Sequence, residues 1–588
     1  MSSVRYPTKS GSVMGGRGRR MGRRLLLGSA LAGSAGAAFL AACGGDSSDG
    51  SSGVEETNIA ASTRQAETSQ PKPGGVLNVR QGTNAPLDPQ TNTTYSAQTL
   101  ASYVYARLLK YKTSIDPTTA DNYETEGDLA ESVEVPADGL TVTFKLRPNA
   151  VWQNVAPVSG RAVDSEDVKA AFDRFRTEPK SSNKGVFGTE QNPLVQAVET
   201  PDARTVVFKL AKPYGPFLNL VGNSNYLWIL PKEVAAGTVD PGKQMIGAGP
   251  FILDSVQPDI AYKVTKNPTY YANPMPYVDS INLAIITEEA QEVAQYQAGR
   301  LDIAAIPAQR VEEVRQAVPK GLMVEYLPST YGFLAMQQRG DTPFKDERVR
   351  RAAQMSIDRD GLLALIYESK GSWQTFFPAS FGAWRIDPKS GDIGAGGQWF
   401  KYNPAEAKKL LAAAGYPNGL PMRYIFTNNI YGERFNQAAE AIAGMLKEGG
   451  FQPQIVTQDY LREYIVNPSG TYYGNFEGVF YGLSTDFGDP HDYVFNMNHS
   501  KSLRNHAGIN DPQLDAMIDK EERTLDVNER QQAIKDIQKY LADKVYYGTT
   551  AVGPAFIAAQ EWVKNYQRNN AYGTGAESRA KLWIDRGG

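Results

Sequence analysis

Two spacings of apolar residues alternate along the chain, and they divide it into strands and helices. In "LTVTFKLRP" (140–148) Leu140, Val142, Phe144 and Leu146 fall on one face, with Thr141, Thr143, Lys145 and Arg147 on the other. "TVVFKLAKP" (205–213) repeats the pattern with Val206, Phe208 and Leu210. A period of two predicts strands with one buried face. "GGVLNV" opens the folded part with a short strand, Leu77 and Val79 opposite Val76 and Asn78. Elsewhere the period is that of a helix. Val168, Ala171, Phe172 and Phe175 share a stripe behind Asp164 and Asp167, which are spaced as a capping box. "NPAEAKKLLAAAG" predicts a helix capped by Asn403, with Pro404 first, Glu406 completing a box and Gly415 as left-handed stop. Asp511-Pro512 starts a further helix with Leu514, Met517 and Ile518 inward, and 527–543 another with Ile534, Ile537 and Leu541. Strands and helices intermix throughout, so the class is α/β. No short-period repeat is present, and 588 residues leave room for three or four domains.

The first residues follow neither period. Two Arg-Arg pairs precede an uncharged stretch from Leu25 to Ala42 that is rich in Gly, Ala and Ser. This is the organisation of an export signal, and it is too weakly apolar for a permanent membrane helix. Gly22-Arg23-Arg24-Leu25-Leu26-Leu27 resembles a twin-arginine export motif without its usual flanking Ser and Phe. The stretch ends in Leu40-Ala41-Ala42-Cys43, and Cys43 is the single cysteine. One cysteine can form neither an internal disulfide nor a Cys-rich zinc site. Leu40–Cys43 resembles the lipobox of bacterial lipoproteins, which implies cleavage after residue 42 and acyl chains on Cys43, enough for stable anchoring. Residues 43–73 are poor in large apolar side chains and are expected to form a flexible tether.

Charge sharpens the separation. The first 42 residues hold seven basic and no acidic side chains, leaving 54 basic against 64 acidic in the remainder. An acidic body without a basic patch excludes nucleic acid as the expected partner. Motifs for catalysis are lacking: there is no Gly-x-Ser-x-Gly elbow and no Walker phosphate loop. "IGAGPF" (246–251) has Pro250 where a dinucleotide loop would open its helix, so a tight turn into a strand is expected. All three histidines, His491, His499 and His506, fall in one segment with Asp486, Asp489 and Asp492 nearby. Their spacing matches neither a helical zinc pair nor a finger, so no metal or other cofactor is expected, with His491 the one residue that keeps a metal in play.

Taken in order, the motifs resemble those of the large solute-binding proteins of bacterial ABC importers, the oligopeptide, dipeptide and nickel-binding group. "LDPQ" (87–90), "TFKLRPNAVW" with "GRAVDSEDVKAAFDRF", "IGAGPFIL", "NPTYYANPMPYVDSI", "AGRLDIA", "PFKDERVRRAAQMSIDRDGLL", "YNPAEAKKLLAAAGYPNG" and "TDFGDPHDY" carry the likeness. The resemblance implies a periplasmic-binding-protein-like α/β fold of two lobes with an added third domain, closing by a hinge on a ligand without turning it over. It places domain I at 74–112, 223–330 and 551–588, domain II at 113–222 and domain III at 331–550. It implies a monomer on the outer face of the cytoplasmic membrane that delivers peptide to a permease and its ATPase. By the same resemblance Asp486, three residues before Asp489-Pro490, would bind a peptide α-amino group. Tyr95, Tyr331 and Tyr481 lie in segments that flank the cleft, and His491 stands where nickel-binding members carry a histidine. Leu483 replaces a common tryptophan. Arg434 is displaced from the position near Asn428 or Asn429 where dipeptide binders carry an arginine, which points to a longer peptide held by its backbone. A metal chelate or an oligosaccharide is the alternative ligand within the family, and a secreted hydrolase the alternative outside it.

Overall fold

The computed structural model describes residues 70–587 except 93, 114–123, 182, 189–192, 467–468, 486 and 569–574, and the side chains of 575–577. The expected export signal, Cys43, nearly all of the expected tether and Asp486 therefore lie outside the described residues.

The alternating segments form the strands their pattern predicts. Thr141–Leu146 and Thr205–Leu210 pair antiparallel at the centre of a four-stranded sheet, with Ala130–Glu134 and Val195–Asp202 at its edges. Val142, Phe144, Leu146, Val206, Phe208 and Leu210 are buried, while Leu140 falls just before its strand and is exposed. Phe144 and Phe208 meet edge to face at 5.7 Å and Phe172 packs on Phe208 at 5.4 Å, so the predicted helix and both strands close one core. That helix is Ser165–Thr177, and Asp164 and Asp167 make the full capping box. In the helix Pro404–Ala413 only half of the predicted box forms. Asn403 caps the Glu406 N–H at 3.0 Å, but the Glu406 carboxylate pairs with Lys409 at 3.0 Å, a solvent-side partner one turn on. Gly415 takes the expected left-handed φ of 100°.

A seven-stranded sheet runs in the order Leu322–Tyr326, Ala555–Ala559, Ile303–Ile306, Val76–Gln81, Ser280–Ile285, Ala261–Lys266, Phe251–Gln257. Its three central strands are parallel. One face shares the core of the four-stranded sheet through Leu77, Val264, Ile281 and Leu283. The other packs on helices through Ala304, Ile306, Phe556 and Ala558. "IGAGPF" lies where this sheet meets the helix Tyr95–Val104. A Cβ on Gly247 would stand 1.8 Å from the Val104 carbonyl oxygen and one on Gly249 2.6 Å from that of Tyr105, so both positions need glycine for close backbone approach.

The third sheet is Phe451–Gln458, Leu420–Thr427, Val479–Leu483, Gly332–Met336, Tyr547–Thr549, the first three strands parallel. Alternate residues feed two cores, Phe333, Ile425 and Phe480 on one face and Leu334, Tyr424 and Tyr481 on the other. The chain passes between the seven- and five-stranded sheets twice, through 327–331 and 550–554. The registers place both passages at one edge of each sheet. Tyr326 pairs with Ala555 and Ile306 with Phe556, while Gly332 pairs with Leu483 and Phe333 with Thr549. These are the edges at which the central parallel strands of both sheets end. Among the described residues no helix is long and apolar enough to cross a membrane.

Gly553 sits in the second passage against the Tyr367 ring, where a Cβ would come within 1.9 Å of the ring's Cδ1. Gly553→Ala is expected to destabilise the protein by about 1–3 kcal/mol, as overpacking does, measured by urea unfolding. Stability equal to the parent would show that this passage has room to move.

Candidate functional site

The parallel strands of the five-stranded sheet release three loops at one edge, 428–432, 459–465 and 484–489. The seven-stranded sheet releases 82–94, 286–288 and 307–310 at its own. Ligands of open α/β sheets bind outside such carboxyl ends. The two edges face each other across the double passage, and one side-chain contact already spans them: Arg434 donates to Gln309 Oε1 at 2.9 Å. A groove of ≈ 770 Å³ lies at the opposite end of the five-stranded sheet, lined by Arg423, Gly478 and Phe344, away from the passages.

The loop 484–489 is held from both ends. Ser484 N–H donates to Tyr331 O at 2.9 Å, and Tyr331 N–H returns a bond to Ser484 Oγ at 3.0 Å. The Thr485 hydroxyl lies 3.1 Å from Tyr472 Oη and accepts from Arg504 at 2.9 Å. Phe487 N–H donates to the Tyr493 hydroxyl at 3.0 Å, which itself donates to Ser329 O at 3.0 Å. Tyr111 donates to Gly488 O at 2.7 Å. Both neighbours of position 486 are thus fixed, and the loop is bonded to the passage 327–331 at Ser329 and Tyr331.

Behind the loop lies a buried ion network. Asp489 caps the helix Pro490–Asn498, accepting from His491 N–H at 2.7 Å. Its carboxylate takes both ends of the Arg530 guanidinium, and Asn219 donates to it at 2.6 Å. Arg530 Nε reaches Glu521 at 2.6 Å, whose other oxygen lies 2.6 Å from His491 Nδ1. Glu522 meets Lys212 and stands 3.9 Å from His491 Nε2. Three carboxylates face Arg530, Lys212 and His491, and the charges balance only when the imidazole carries its proton. Burial opposes that proton, but the Glu521 carboxylate beside it outweighs burial and holds His491 above the usual imidazole range. Glu521 is lowered in turn: burial resists its charge, and His491 and Arg530 overcome it. Asp492, half-buried beside them, is pushed up to about 7 by burial and by Asp489.

Of the five residues singled out from sequence, the four that the structure describes lie in different surroundings. Tyr95 is exposed at the edge of the seven-stranded sheet, as the first residue of its helix. Tyr331 is buried in the passage and donates to Phe376 O at 3.1 Å. Tyr481 is buried mid-strand, its ring stacked on Phe435 at 4.5 Å. His491 belongs to the ion network, and no group of three or more metal-binding side chains is present among the described residues. Asp486 is at the loop's centre in sequence and outside the described residues. Sequence reasoning missed Arg504, Tyr472 and Tyr493, which hold that loop, and the pair Asn429–Asp459, joined at 3.0 Å at the ends of adjacent strands. Only the polar residues immediately after strand patterns signalled the latter.

The family model for bacterial extracellular solute-binding proteins, family 5 (middle), matches residues 124–505. The chain belongs to this family. Among family-5 and related proteins it is 26% identical over 499 residues to the dipeptide-binding protein of Escherichia coli strain K12, covering 81% of this chain and 88% of that one. To heme-binding protein A of Haemophilus influenzae it is 24% identical over 497 residues, covering 81% and 86%. The solved structure of DppA from Helicobacter pylori, in complex with the peptide STSA, superposes with a TM-score of 0.70 at 21% identity over 88% of this chain and 99% of that one. The fold is therefore the multi-domain α/β fold of the periplasmic-binding-protein type, as the sequence motifs implied.

A histidine raised by its partner contributes stability that is complete below its unfolded pKa, about 6.5, and is lost as pH rises through its folded value. Asp492 acts in the same direction at lower pH. A carboxyl raised to about 7 favours the fold while protonated, and that contribution is lost between its ordinary value and about 7. Thermal melts should therefore show stability falling from mildly acidic to alkaline pH, and His491→Gln should flatten the part above neutrality. A variant with the parent's pH slope there would mean that His491 is neutral in the network.

Proposed function

We propose that this family-5 protein is the extracytoplasmic receptor of an ABC importer, a lipoprotein that captures oligopeptides between its lobes and presents them to a membrane permease driven by an ATPase. The observation that carries this reading is the loop 484–489, fixed at both neighbours of Asp486 and bonded to the interlobe passage. A carboxylate held there would meet a ligand's ammonium in a closing, partly desolvated cleft, where charge pairing is strong. The names of the E. coli and H. pylori relatives agree with a peptide ligand. Arg434 supports a ligand longer than a free dipeptide, because its guanidinium is directed to Gln309 on the other lobe. In this reading domain I comprises 74–112, 223–330 and 551–588, domain II 113–222 and domain III 331–550. The seven-, four- and five-stranded sheets draw their strands from these three sets in turn. Binding proceeds without turnover, the protein acts as a monomer, and acyl chains on Cys43 hold it at the membrane through the tether.

Asp486→Asn is expected to weaken binding of a co-purified peptide, identified by mass spectrometry, by about 2–5 kcal/mol, the scale for removing one member of a buried charge pair. Titration calorimetry reads this directly, and unchanged affinity would remove Asp486 from the site. For the anchor, Cys43→Ser should move the protein from the membrane to the soluble fraction or leave its signal uncleaved. Membrane retention with normal processing would refute lipid attachment.

A further inference from the structure

Sixteen large hydrophobic side chains are exposed among the described residues, and four of the five most exposed stand on the two facing edges or on the segment 499–511 beside one of them: Leu503 at 85%, Leu461 at 74%, Ile260 at 63% and Tyr95 at 59%. Ile430, 53% exposed, stands with them. Scattered apolar side chains on a surface need no explanation; this placement does. Leu461 and Ile430 sit on neighbouring loops of the five-stranded sheet. Leu503 precedes Arg504, whose guanidinium donates to Thr485 at 2.9 Å and lies 5.4 Å above the Phe487 ring, beside the loop of Asp486. On the opposite edge Tyr95 follows the loop 82–94. Ile260 accepts from Ile285 N–H at 2.8 Å, and the adjacent Asp259 N–H donates to Asn84 at 3.0 Å.

The loops beneath these side chains are built to hold them outward. Asn429 Oδ1 accepts from the Thr427 hydroxyl at 2.9 Å and from Tyr460 N–H at 3.1 Å, and its amide donates to Asp459 at 3.0 Å. The other Asp459 oxygen takes the N–H groups of Leu461 and Arg462 at 3.1 and 2.9 Å. Tyr431 packs edge-on against Tyr460 at 5.6 Å. Asn429 and Asp459 thus tie the two loops together, and Ile430 and Leu461 stand exposed on the tied loops. An ordered apolar surface loses little further entropy on binding and gains from every apolar group laid against it.

We infer that the cleft selects peptides by apolar side chains, with Leu461, Ile430 and Leu503 on one lobe and Ile260 and Tyr95 on the other forming the surfaces that cover them on closure. This rests on the peptide-receptor reading and adds a side-chain preference to it. The test is calorimetric titration of the full-length protein with three tetrapeptides of common backbone, Ala-Leu-Leu-Ala, Ala-Ser-Ser-Ala and Ala-Asp-Asp-Ala. The leucine peptide should bind about tenfold or more tighter than the other two. In Leu461→Ser, Ile430→Ser and Leu503→Ser, all exposed positions whose change leaves the core intact, the leucine-to-serine affinity ratio should fall toward one, most in the triple variant. Equal binding of all three peptides, or a ratio unmoved in the triple variant, would overturn the apolar preference and leave the peptide reading standing. Failure of every peptide to bind would overturn the peptide reading and the preference with it.

Discussion

Ser484 and Tyr331 exchange two hydrogen bonds, and through them the loop 484–489 and the passage 327–331 are tied together. Three residues on, Tyr493 repeats the linkage by accepting from Phe487 N–H and donating to Ser329 O. A loop at the end of a strand is ordinarily the mobile part of an α/β domain. Here it is the part bonded to the passage between the two sheets, and in the proposed reading a change at the passage is felt first where ligand would be held. A buried, doubly bonded connection transmits displacement because packed interiors yield little.

The ion network behind the loop supplies the counterpart rigidity. Arg530, Asp489 and Glu521 are each nearly inaccessible to water, and none could be buried without the others. The network also joins segments far apart in the chain. Asn219 and Lys212, from the neighbourhood of the four-stranded sheet, complete it from one side, and Gly215 N–H donates to Glu522 O at 2.7 Å. The segment 212–219 thereby fixes the back of the helix that follows the loop 484–489. His491 takes its place in that network beside Glu521, whose carboxylate holds the imidazole above its usual range.

What was legible in the sequence followed the strength of the local signal. Strict alternation at 141–146 and 205–210, and the Asp164 capping box, identify their elements because each side chain's fate is decided by its nearest neighbours. The Glu406 half-box did not form because Lys409, one turn away, offers a better partner in solvent. The fold class followed from ordered motifs over most of the chain. The site was less legible. Tyr331 and Tyr481 are aromatic residues in the right segments, but a tyrosine serves a core as well as a cleft, and only the register of Gly332 with Leu483 and the stacking on Phe435 show that these two face inward. Arg504, Tyr472 and Tyr493 reach the loop across the fold, and nothing in the spacing of residues along the chain encodes a contact of that kind.

In the proposed reading the recognition surface and the closing motion draw on the same free energy. With the cleft empty, apposing the two edges would bring Leu461, Ile430 and Leu503 toward Ile260 and Tyr95 across a gap that nothing fills, forfeiting the dispersion contacts that make apolar burial favourable. In the proposed reading it would also strip water from the Asp486 carboxylate with no ammonium to replace it, and a lone buried carboxylate is strongly disfavoured. The Arg434–Gln309 contact, a single hydrogen bond to a neutral amide, contributes too little to offset either cost. A peptide removes both together, its amine pairing with the carboxylate and its side chains filling the space between the apolar residues. Closure then depends on a ligand that satisfies charge and shape at once. A receptor built this way signals occupancy to a permease without any step of chemistry, because the closed form is stable only when something of the right kind is inside.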